Sequence, residues 1–188
     1  MTSFLASTVV NPFNTSLSRG FEVIIKRAWA MPNHNTFEIK PIREWIGEVP
    51  RISVDPFARN CELAGVTNDI NPECTANYSE DAITFLKSIW DGYAECVLYD
   101  PPYSLRQLKE CYDGIGRAMT QRESQRFFSD VKNEIARITK VGGTVLSFGW
   151  STVGMGKTRG FSIKDILLVC HGGMHNDTIC VREVKNGD

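Results

Sequence analysis

Apolar residues follow two rhythms along this chain, and the changes between them mark its elements. Short, dense apolar runs read as buried strands, and apolar positions three and four apart read as helices with one inward face. Arg51-Ile52-Ser53-Val54-Asp55 is the first core run, and Val66-Thr67-Asn68-Asp69-Ile70 is a second. Cys96-Val97-Leu98-Tyr99 follows, then Thr144 to Phe148, Ile166 to Cys170 and Thr178 to Val184. Helices fill the gaps. Pro41 suits a first turn that Arg43-Glu44-Trp45-Ile46 continues, and Ala58 to Ala64 reads as a short helix stopped by Gly65. Positions 82, 85, 86 and 89 have helical spacing over Ile83 to Trp90. Ser104 caps a helix to Tyr112, and Thr120-Gln121-Arg122-Glu123 resembles a capping box. The helix it opens reaches about Lys140, with Gly142-Gly143 separating it from the next strand. Phe21 to Trp29 fits a strand or a short helix, and residues 1–20, rich in Asn, Ser and Thr, read as a loose arm.

Strands alternating with helices predict an α/β fold with a mostly parallel sheet in one domain over residues 1–188. The last two strands, joined by His171 to Asp177, predict an antiparallel C-terminal hairpin. Sheets of this kind bind ligands outside the carboxyl ends of their strands, near the point where strand order reverses. Three predicted strand ends carry acids, Asp55, Asp69 and Asp100, with Asp81 as a fourth between them. Brought to one crevice, they would make a nucleoside site.

Composition narrows the partners. A net charge of −1 supplies no global attraction to nucleic acid, so a basic surface must be local. Arg106, Lys109, Arg117, Arg122 and Arg126 supply such a cluster just after Asp100. The six cysteines show no CxxC spacing, and several sit in strand-like runs, where Cys acts as a small hydrophobe. Reduced thiols in a cytoplasmic protein are expected, without zinc. Neither a membrane-spanning run nor a signal peptide is visible.

The chemistry centres on Asp100-Pro101-Pro102-Tyr103. Two prolines end the preceding strand and stiffen the loop, because each fixes φ and lacks an N–H. The loop then offers a carboxylate, proline carbonyls and an aromatic face. Asp100 and a backbone carbonyl can accept the two hydrogens of an exocyclic amine while Tyr103 stacks on its ring.

Here the chain resembles the class I S-adenosylmethionine-dependent methyltransferases, specifically those acting on adenine in DNA, over roughly residues 37 to 184. Asp100, Pro101, Pro102 and Tyr103 are similar to that family's catalytic tetrapeptide. Asp55-Pro56-Phe57 looks like the start of its first cofactor motif, and Asp69 stands where the family has an acid on the ribose hydroxyls. Asp81-Ala82 resembles the pair beside the cofactor's adenine ring, and Phe37 and Pro41 the upstream segment on the methionine moiety. The resemblance implies a Rossmann-like fold, S-adenosyl-L-methionine as cofactor, and N6 methylation of adenine in DNA with the base flipped out of the duplex. At 188 residues the resemblance is to a small form without a target-recognition domain, whose sequence recognition is expected to be weak, supplied by short loops, or supplied by a partner subunit or oligomer. One departure is chemical: Phe57-Ala58-Arg59-Asn60-Cys61 replaces the glycines that let backbone approach the cofactor. Two rival readings are an RNA base amino-methyltransferase and a non-catalytic methyltransferase-like subunit that binds nucleic acid or a partner.

Overall fold

The computed structural model describes residues 22–187, so the arm expected at residues 1–20 lies outside the described residues. Seven strands form one sheet: β1 (Ile24–Trp29), β2 (Ile52–Asp55), β3 (Ala64–Thr67), β4 (Ala94–Tyr99), β5 (Thr139–Gly149), β6 (Phe161–Cys170) and β7 (Thr178–Lys185). Their order is β1-β6-β7-β5-β4-β2-β3. Only β7 runs antiparallel, hydrogen-bonded to β6 on one side and β5 on the other. Of the segment left open between strand and helix in the sequence, Ile24–Trp29 forms an edge strand parallel to β6.

Helices α1 (Lys40–Ile46), α2 (Ala82–Ser88), α3 (Leu105–Gly114) and α4 (Gln121–Ile138) cover the two faces. Strand alternation divides the core accordingly. Val97 and Tyr99 of β4 pack with Phe85 and Leu86 of α2, Leu108 of α3 and Val131 and Ile135 of α4. Cys96 and Leu98 face the other way, onto Ile42, Trp45 and Ile46 of α1. The short α1 is fastened by its indole, which donates from Nε1 to Asp165 Oδ1 at 2.5 Å beneath the Arg182 guanidinium. The caps read from sequence form. Ser104 accepts from the Gln107 N–H, and Thr120 and Glu123 make a reciprocal capping box.

Four boundaries differ from the sequence reading. Ala58 to Ala64 is not helical, because Arg59 takes a left-handed φ of +52° and the Ala58 N–H is given to the Asn68 carbonyl. The strand expected over 66–70 is β3 at Ala64–Thr67, so Gly65 lies within it rather than stopping a helix. Gly142-Gly143 sits inside β5, at the irregularity where Ala94 pairs with Thr139 but Cys96 with Thr144. A Cβ on Gly143 would stand 2.8 Å from the Lys140 carbonyl oxygen and 3.0 Å from that of Ala94, so this bulge requires glycine. Finally, β6 starts at Phe161, five residues early, because polar Ser162 and Lys164 interrupt the apolar run that revealed it.

Strand order reverses between β2 and β4. From β2 the chain moves outward to β3, then returns past β2 to β4 and on to β5. No helix among the described residues is long and apolar enough to cross a membrane.

Candidate active site

At that reversal the carboxyl ends of β2, β3 and β4 open onto a cavity of about 800 Å³, walled on one side by α3. It is the position the sheet topology favours for a ligand. Of the residues singled out from sequence, Pro56, Phe57, Asp69, Ala82 and all of Asp100-Pro101-Pro102-Tyr103 line it.

The loop after β2 starts with an Asx turn: Asp55 Oδ1 accepts from the Phe57 N–H at 3.0 Å. Asp55 itself is buried, and its Oδ2 has no hydrogen-bond partner. Burial, opposed by the Phe57 N–H and reinforced by Asp100 and Asp69, pushes its pKa up to about 8. The carboxyl is thus held largely protonated behind the Pro56-Phe57 wall. The Phe57 ring packs against Tyr99 and Phe127.

Asp69 turns the chain after β3. Its Oδ1 accepts from the Asn71 N–H at 2.9 Å and its Oδ2 from the Arg59 N–H at 3.0 Å, which ties the loops after β2 and β3 together. A carboxylate oxygen has two acceptor sites, so each can take a further hydroxyl. Asn68, fully buried, staples the same region by donating to the Pro56 and Glu80 carbonyls.

Asp100 follows β4 directly. Tyr103 Oη donates to its Oδ1 at 2.5 Å, and the Tyr103 N–H donates to Gln107 Oε1 at 2.7 Å. Burial raises the Asp100 carboxyl above the ordinary carboxylate range, while the Tyr103 and Thr36 hydroxyls and the Arg59 charge pull it back down. The Tyr103 phenol is itself raised, by burial first and then by the adjacent carboxylate, so it stays a donor. Its ring meets Trp150, half-exposed at the end of β5, edge-on at 5.6 Å. Tyr103 thus both orients the carboxylate and offers an aromatic surface, where the sequence suggested the surface alone.

The remaining sequence candidates stand outside the lining. Asp81 caps α2 through the Ile83 and Thr84 N–H groups and accepts from Tyr112 Oη at 2.6 Å, supporting the wall from behind. Phe37 packs on Phe148 at 5.1 Å, and Pro41 sits in the first turn of α1. Thr36, Arg59, Cys74 and Cys111 reach the cavity without having been singled out as site residues. Arg59 carried a signal, since it replaces an expected glycine. Cys74, Cys111 and Thr36 carried none, because their placement follows from the path of loops and the face of α3.

Taken together, order of strands, reversal point and hairpin make this a Rossmann-like α/β fold, mostly parallel with an antiparallel hairpin. Structural comparison finds TrmN from Thermus thermophilus, with a TM-score of 0.52 and 14% identity over 78% of this chain and 49% of that one. The chain thus spans about half the length of TrmN. The yhhF protein of Escherichia coli superimposes at a TM-score of 0.49, 12% identity, and 86% and 94% coverage. The N-methyltransferase NodS from Bradyrhizobium japonicum does so at 0.46, with 9% identity and 83% and 100% coverage. No family model and no curated protein matches the chain.

Proposed function

We propose that the chain is an S-adenosylmethionine-dependent methyltransferase that modifies the exocyclic N6 amine of adenine in DNA. The observation that carries this reading is the single cavity that joins Asp100-Pro101-Pro102-Tyr103 to Asp69 and the Pro56-Phe57 loop. The residues present fit the cofactor. Asp69, which lines the cavity, can take the ribose hydroxyls through the acceptor sites its two backbone bonds leave open. The bound cofactor supplies an electrophilic sulfonium methyl.

The protein's own contribution is alignment and charge. Asp100 and the Pro101 carbonyl accept the two amine hydrogens, which favours a pyramidal nitrogen whose lone pair is free of the ring. Positive charge develops on that nitrogen, and the Asp100 carboxylate stabilises it. Its raised pKa also makes Asp100 a better acceptor for the proton the methylated amine sheds. The Tyr103 hydroxyl holds Oδ1 in place during these steps. Trp150, exposed beside Tyr103, supplies a second ring at the entrance for an extruded base.

Calorimetry with S-adenosylmethionine tests the reading. Wild-type protein should bind it, and Asp69→Ala should weaken binding by up to about 3 kcal/mol, the upper range for charge-assisted hydrogen bonds. A folded wild-type protein that gives no heat at millimolar cofactor would contradict it.

A further inference from the structure

Arg59 is the only non-glycine residue with positive φ among those described, at +52°. That conformation costs an L-residue roughly 1–2 kcal/mol, so the surroundings must impose it. Two contacts do so. The Arg59 N–H is bound to Asp69 Oδ2 at 3.0 Å, and Nη1 donates to the His34 carbonyl at 3.1 Å. Glycine would satisfy the same turn without strain, so the turn alone gives no reason for an arginine.

The charge distribution of the cavity gives one. Asp69, Glu73, Asp100 and Glu110 all line it, and among the described residues Arg59 is its sole cationic lining residue. Among the described residues Arg59 forms no ion pair with any carboxylate; its side-chain bond goes to a neutral carbonyl. A guanidinium has five donors, so most of its fork is left to meet an anion. An acidic cavity with one uncommitted cation has one place for a negative group.

We infer that Arg59 is a specificity-determining residue that takes the α-carboxylate of the cofactor's methionine arm. The inference rests on the methyltransferase reading and adds a charge assignment to it. The amino-acid arm carries one cation and one anion. The carboxylates that line the cavity suit the cation, and Arg59, beside the Pro56-Phe57 wall, suits the anion. A side chain thereby does what close backbone approach does in the glycine-bearing motif that this loop resembles.

The test compares two ligands by calorimetry: S-adenosylhomocysteine, and the same molecule lacking its carboxylate. Wild type should prefer the first by roughly 10- to 100-fold, the range for charge-assisted hydrogen bonds. Arg59→Gly relieves the strained φ and should fold at least as well, yet bind both ligands with nearly equal affinity. Arg59→Lys should keep part of the preference, since it retains charge without the fork. If wild type binds both ligands equally, or Arg59→Gly keeps the full preference, the inference is wrong while the cofactor reading stands. If wild type binds neither, the cofactor reading falls and takes the inference with it.

Discussion

Asp55 is the most costly side chain of the site in the free protein, since it is buried with one oxygen unpartnered and a pKa pushed up to about 8. A carboxyl whose pKa is raised from 3.8 favours the folded state at low pH, and that contribution is lost as pH climbs towards 8. Asp55→Asn should therefore gain up to about 5 kcal/mol over wild type near pH 8, less whatever its new N–H group costs, and lose the gain near pH 4. Denaturant titrations at both pH values measure this; an Asn variant less stable than wild type at pH 8 would contradict it. At Asp100 the Tyr103 phenol lowers a pKa that burial raises. Tyr103→Phe keeps the ring but removes that donor, so the acidic limb of the kcat/KM profile should move to higher pH; an unmoved limb would mean the phenol does not act on the reacting carboxylate. The place of Asp100 at the end of β4 was legible because prolines announce both the strand end and the loop. The Tyr103–Asp100 bond was not, since a separation of three residues in a proline loop does not reveal which way a ring turns.

Among the elements, α4 and the β5 bulge decide how firmly the site's scaffold is held. The Thr120–Glu123 capping box was readable because it is a local code, and Thr120→Ala should cost about 1 kcal/mol of stability. Gly143→Ala should cost more, roughly 1–3 kcal/mol, because its Cβ would press into two backbone carbonyl oxygens as well as the Thr139 methyl, and backbone cannot turn aside. Thermal unfolding of the two variants checks the order; a Gly143→Ala protein as stable as wild type would mean that the bulge relaxes. The sequence suggested a breaker at Gly142-Gly143, and there its local logic failed, since only pairing with β4 shows that the strand starts before the bulge. The loop at 56–63 misled for the same reason. Ala58 to Ala64 has no feature that forbids helix, and only the distant Asn68 carbonyl and Asp69 carboxylate draw its N–H groups elsewhere. The edge strand β1 stayed ambiguous because its side chains are largely exposed, leaving no alternation to read.

At the scale of the whole molecule, the alternation of strands and helices foretold the parallel sheet and the C-terminal hairpin, and the acids at strand ends pointed to its carboxyl edge. The surface around that edge changes the electrostatic picture. Of the five basic residues clustered after Asp100, Arg106 pairs with Glu110, Arg117 with Asp81 and Arg126 with Asp130. Exposed pairs of this kind are worth about 0–1 kcal/mol, so phosphates can displace them. Methylation of DNA should fall steeply as salt rises, with a slope that flattens in an Arg106→Ala, Arg122→Ala double variant; an unchanged slope would place the nucleic acid elsewhere. If Asp100 acts on an adenine amine, methyl transfer must depend on both the base and the carboxylate. Transfer of a labelled methyl group from S-adenosylmethionine should appear on adenine-containing DNA and be absent from adenine-free DNA, with RNA as a third arm. Asp100→Ala should abolish it through kcat while leaving cofactor affinity nearly unchanged. Equal labelling of adenine-free DNA, or full activity in Asp100→Ala, would contradict the account.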